Sequence, residues 1–146
     1  MGRIENQYEL VKKQVEKASK LFEDKDMLPE ALQNIFAIFE NCANLLKDTK
    51  NSIKKTSHTD ITFVFQDLFR RKILKKNYSK LHSELAEYRV IAFFGEYSRE
   101  PKPLPPKLAL KRYLDSAIEL FNEVKPIVEE YIKGHKAIRE NSQPKN

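Results

Sequence analysis

Cysteine is nearly missing from this chain, and the lone Cys42 excludes both an intrachain disulfide and a zinc cage built from thiolates. Its apolar neighbours Phe39, Ala43 and Leu46 mark it as an inert core thiol rather than a nucleophile. Glycine is scarce too, with three residues in 146, and no phosphate-cradling glycine loop is present. No uncharged apolar run approaches the roughly eighteen residues of a membrane span. Met1 to Asn6 lack the apolar segment of a secretory signal, so the expected location is cytoplasmic, without a membrane. The three histidines, His58, His82 and His135, do not pair at helical metal-ligand spacing. The patterns His-Glu-x-x-His and Gly-x-Ser-x-Gly are absent, as are the paired Glu-x-x-His motifs of di-metal bundles. The sequence therefore assigns no metal, no cofactor and no catalytic residue.

What is present is helical periodicity. A chain of 146 residues, 40% hydrophobic and 33% charged, fits one water-soluble domain that needs no staple. Ile4, Tyr8, Val11, Val15, Ala18 and Phe22 form a narrow stripe that predicts a helix over about 4–25. After the polar break Glu23 to Asp26, Pro29 opens a second helix, about 29–48. It is apolar on most of its circumference (Leu32, Ile35, Phe36, Ile38, Phe39, Cys42, Leu45, Leu46), so it should lie centrally. Ser57 or Thr59 can cap a third helix, about 58–75, with Ile61, Val64, Phe65, Leu68 and Phe69 inward. A fourth, about 79–94, turns Leu81, Leu85, Tyr88 and Ala92 inward and stops at Gly95. Prolines 101, 103, 105 and 106 make 96–106 a stiff loop. Leu108 to Tyr131 then hold helical spacing in a fifth helix, with a kink expected at Pro126. The expected architecture is an all-α antiparallel bundle over 1–133, with a polar, frayed tail at 134–146.

One charged cluster stands out from the net charge of +6. Between Lys47 and His82 ten Lys or Arg face three Asp, a local excess of +7. Arg70, Arg71, Lys75 and Lys76 lie in it, at the end of the third helix. Cations there complement a helix C-terminus, and they also suit the phosphates of RNA or a nucleotide. No aromatic interleaving or base-reading motif accompanies them. His82 and Arg89, seven residues apart, share a face of the fourth helix, and an Arg on a half-buried face calls for a partner such as Glu40, Asp115 or Glu119.

The run Val15–Leu32, the aromatic and small residues of Ala37–Leu46, Ser57-His58 followed by Phe65 and Phe69, and Leu81–Gly95 together resemble HEPN domains, small helical prokaryotic proteins named for nucleotide binding. The likeness covers roughly residues 10–132. The family's ribonucleases carry an Arg, then four to six residues, then a His, usually with a Tyr just beyond. Here no Arg has a His at that distance downstream, and Phe93 and Phe94 follow Arg89 where proton-transfer groups would stand. The resemblance thus implies a non-catalytic binding or pairing member. It also implies a homodimer and a nucleotidyltransferase-type partner of the toxin–antitoxin kind. The alternatives are a metal-free RNase rearranged around His58, His82 and Arg89, and a purely structural interaction protein.

The second and fourth helices offer more apolar surface than one five-helix monomer readily covers. Light scattering at high micromolar concentration should therefore return twice the chain mass of 17.2 kDa. A value near the single-chain mass would remove the dimer.

Overall fold

The computed structural model describes residues 2–50, 58–94 and 104–142, with the side chains of 58–60, 89–94 and 137–142 outside that description. It contains five α-helices and, among the described residues, no strand: α1 (Arg3–Glu23), α2 (Leu28–Thr49), α3 (His58–Arg70), α4 (Ser79–Phe94) and α5 (Lys107–Ser142). A single 3-10 turn, Lys25–Met27, separates α1 from α2, and the Asp24 side chain caps it by accepting from the Asp26 N–H. No described helix is long and apolar enough to cross a membrane.

The organising element is α2. Its ten buried residues include Leu32, Ile35, Ile38, Phe39, Leu45 and Leu46, which point to more than one side. Each large apolar side chain taken out of water contributes about 1.5–3 kcal/mol, so every neighbour of α2 is held by it. All four other long helices pack on α2. Contacts along their lengths fix the directions. Arg3 pairs with Asp48 at 3.0 Å, and Asn34 and Asn41 donate to Gln14, so α1 runs antiparallel to α2. Tyr78, just before α4, meets Phe39 and His82 in its first turn meets Phe36, so α4 again runs antiparallel to α2. By contrast, α3 runs parallel to α2, because Phe65 packs on Phe39 while Arg71 reaches Lys50. Helix α5 lies antiparallel to both α1 and α4, with Lys107 over Phe22 at one end and Tyr78 bonded to Glu123 further along.

Cys42 is fully buried at the middle of this core, and burial pushes its thiol well above the ordinary range. It is the inert core thiol that its neighbours suggested. Three of the core aromatics, Phe39, Phe65 and Tyr78, meet edge-on or tilted at 6.0–6.3 Å between ring centres.

Three sequence expectations change. The third helix stops at Arg70 instead of about 75. There Lys72 adopts φ 63°, the only positive φ among the described non-glycine residues. The Ile73 N–H bonds to the Leu68 carbonyl at 2.9 Å and the Lys72 N–H to that of Phe69 at 3.0 Å. That is the Schellman pattern, with lysine in the left-handed position that glycine usually fills. Its accompanying apolar contact is supplied by Ile73, half-buried against the core that holds Leu68. Phe69, expected inside, is 43% exposed. The buried arc of α3 is centred on Ile61, Val64, Phe65 and Leu68, and Phe69 falls beyond its edge. The fifth helix, finally, runs through Pro126 and past Gly134 to Ser142, so the expected tail is helical over most of its length. Gly134 keeps a negative φ and is no stop. His135 continues the turn by stacking on Tyr131 at 3.8 Å.

The caps at Ser57 and Thr59, the stop at Gly95, the prolines at 101 and 103 and the orientation of Phe93 and Phe94 lie outside what is described. Two substitutions should stabilise the bundle. Lys72→Gly relieves a left-handed side chain, for a gain of about 1 kcal/mol. Gly134→Ala adds a methyl with no atom within 4 Å and should gain about 0.5–1 kcal/mol. Urea unfolding reads both, and a loss at either position would contradict the backbone geometry given for it.

Candidate nucleic-acid interface

Because α2 and α3 run parallel, their C-terminal ends finish at one corner. Arg71 joins them. Its guanidinium pairs with Asp67 one turn back at 3.1 Å and donates a second hydrogen bond to the Lys50 carbonyl at the end of α2, also 3.1 Å. The contact ties Lys50, at the end of α2, to the turn that carries Arg70, Arg71, Lys72, Lys75 and Lys76. Two helix C-termini offset about one elementary charge between them, and Asp67 and Glu119 offset part of the charge of Arg71 and Lys76. Arg70, Lys72 and Lys75 stand exposed beside them.

Beneath the corner lies Glu123 of α5. One carboxylate oxygen accepts the Lys75 backbone N–H at 2.7 Å and the other accepts the Tyr78 hydroxyl at 2.5 Å. Burial, then the bond to Glu123, drives the Tyr78 phenol far above its ordinary range, so it stays a donor. The α3–α4 turn is thereby clipped to α5, and its peptide N–H at Lys75 is already used. Lys76 lies 3.7 Å from Glu119 and 5.8 Å from the Tyr78 ring centre. Asn77 caps α4 by accepting from the Ser79 N–H.

A groove of about 640 Å³ opens between this turn and α5, lined by Ile73, Lys75, Ile118, Asn122 and Pro126 among others. Pro126 has no N–H for the Asn122 carbonyl. Both residues line the groove, where water can satisfy that carbonyl.

The sequence-predicted residues divide into three. Arg70, Arg71, Lys75 and Lys76 come together at the corner and are exposed. Within this set Arg71 also has a structural duty, since it ties two helix ends. His82 is separate from them, only 2% exposed. Its ring stacks on Phe36 at 5.2 Å, Nδ1 is 3.4 Å from the Thr62 hydroxyl, and Nε2 is 3.6 Å from the Glu40 carboxylate. That last distance exceeds a hydrogen bond and leaves Nε2 without an acceptor. Glu40, considered for Arg89, thus faces His82. Of the other acids considered for Arg89, Asp115 pairs with Lys111 at 2.7 Å and Glu119 faces Lys76. His58 opens α3 at the end opposite the basic turn, and the side chains of His58 and Arg89 lie outside the described residues. Among the described residues no group of His, Cys, Asp or Glu is arranged to hold a metal ion.

Sequence reading passed over Phe63. It is 47% exposed on the side of α3 away from the core. The signal was available, since position 63 falls opposite the Ile61–Leu68 arc on a helical wheel. No family model, no curated protein and no solved structure matches this chain.

Removing the clip tests the geometry of the corner. Glu123→Ala leaves two donors without their acceptor and should cost about 2 kcal/mol, whereas Glu123→Gln, which keeps one acceptor oxygen, should cost about half as much. Equal losses in urea titrations would mean that Tyr78 and Lys75 do not both depend on this side chain.

Proposed function

We propose that this chain is a non-catalytic, HEPN-like helical module that binds RNA through its phosphates, using the basic corner where α2 and α3 end together. The observation that carries the reading is the exposed run Arg70, Arg71, Lys72, Lys75 and Lys76, which the Arg71 bridge from Asp67 to the Lys50 carbonyl braces against the end of α2. The charges left to meet a ligand belong to side chains, since the turn's Lys75 peptide N–H is bonded to Glu123. Flexible ammonium and guanidinium groups without a fixed donor array favour attraction to a phosphate backbone over readout of a sequence. Proton-transfer chemistry has no part in this reading. His82 is enclosed by Phe36, Phe65, Thr62 and Glu40 and shut off from the surface. The homodimer and a nucleotidyltransferase-type partner, both implied by the HEPN resemblance, belong to the same proposal.

Binding of a fluorescent RNA should weaken steeply with salt. In Arg70→Gln/Lys75→Gln/Lys76→Gln the slope of log affinity against log salt should fall by about 0.7 for each single-strand phosphate that the variant no longer neutralises. Arg71 is kept in this variant because it braces the fold. An unchanged slope, or wild type that does not bind at low salt, would overturn the reading.

A further inference from the structure

Exposed aromatic side chains beside a cationic surface have a use that the cations alone do not. On α3, Phe63, Gln66 and Arg70 follow at spacings of three and four and form one outward stripe. Phe63 is 47% exposed; Phe69, 43% exposed, lies about 120° round the helix from it, off this stripe. Arg70 is exposed as well. The core does not need Phe63, because Ile61, Val64, Phe65 and Leu68 already fill the inward arc. Along the axis Phe63 and Arg70 stand about 10 Å apart, close to the span of two nucleotides in an extended strand. Asp67, an acid on this face, is engaged by Arg71 at 3.1 Å and so repels a phosphate less.

We propose that the outward face of α3 is a stacking platform for unpaired bases, with Phe63 under a base and Arg70 on a neighbouring phosphate. The ligand class is then single-stranded nucleic acid rather than duplex, whose bases are already stacked on one another and offer no free face. The inference rests on the phosphate-binding reading given above and adds to it a preference that phosphate contacts alone would not create.

The chain contains no tryptophan, so Phe63→Trp introduces a unique fluorophore at the platform. Its emission should be quenched by a short unstructured single-stranded RNA and left unchanged by a duplex, with the strand bound at least as tightly as by wild type. Phe63→Leu keeps the bulk but removes the π face, and should lose about tenfold in affinity for the single strand and nothing for the duplex. If Phe63→Leu binds the strand as wild type does, while the Arg70/Lys75/Lys76 variant weakens strand and duplex alike, the platform is wrong and the phosphate reading stands. Failure of wild type to bind either RNA would overturn both. A change of mass in light scattering on Phe63→Leu would overturn the platform too, by making Phe63 a contact between copies of the chain.

Discussion

A helix that is apolar around nearly its whole circumference has to be wrapped, and the burial of α2 decides where everything else goes. Its residues face α1, α4, α5 and α3 in turn, and each partner is held chiefly by the apolar surface it removes from water. Polar contacts then set register. The Gln14 side chain and carbonyl receive Asn41 and Asn34, and Tyr113 donates to Glu84 at 3.2 Å between α5 and α4. The direction of α3 follows from the same core, since Phe65 must meet Phe39 and Tyr78 together.

Two helix C-termini at one corner create an electrostatic need that the sequence meets with cations. Part of the Lys and Arg excess thus belongs to the fold, and Arg71 shows how such a residue is engaged: its guanidinium is divided between an acid and a carbonyl. Glu123 plays the complementary part from below, holding the turn against α5 by a hydroxyl and a peptide N–H. The exposed charge of Arg70, Lys72, Lys75 and Lys76 is presented on a turn fixed at both sides.

Periodicity revealed the fold because burial is what periodicity records. The central place of α2, the span of α4 and the buried Cys42 all follow from which residues are apolar and how they are spaced. The end of α3 was hidden for a specific reason. A left-handed stop is read from glycine or asparagine, and here the position is Lys72. Gly134 misled in the opposite sense, since glycine permits a stop without requiring one. The site was harder to read. A run of basic letters does not tell which cation is tied to a carbonyl, and the joining of Lys50 to Arg71 depends on α3 lying parallel to α2. Composition likewise could not place His82, which lies fully inside because α4 is packed between α2 and α3 and buries a wider arc than a single stripe.

The position of Cys42 has a consequence for how the bundle can be watched. Its sulfur lies on the central helix, fully shielded and held protonated by its surroundings. A thiol reagent can reach it only in molecules whose helices have come away from α2, so its alkylation is timed by opening of the core and not by surface encounter. The chain therefore carries an internal clock for its own cooperative unfolding, at a position where no cut, fluorophore or substitution has to be added.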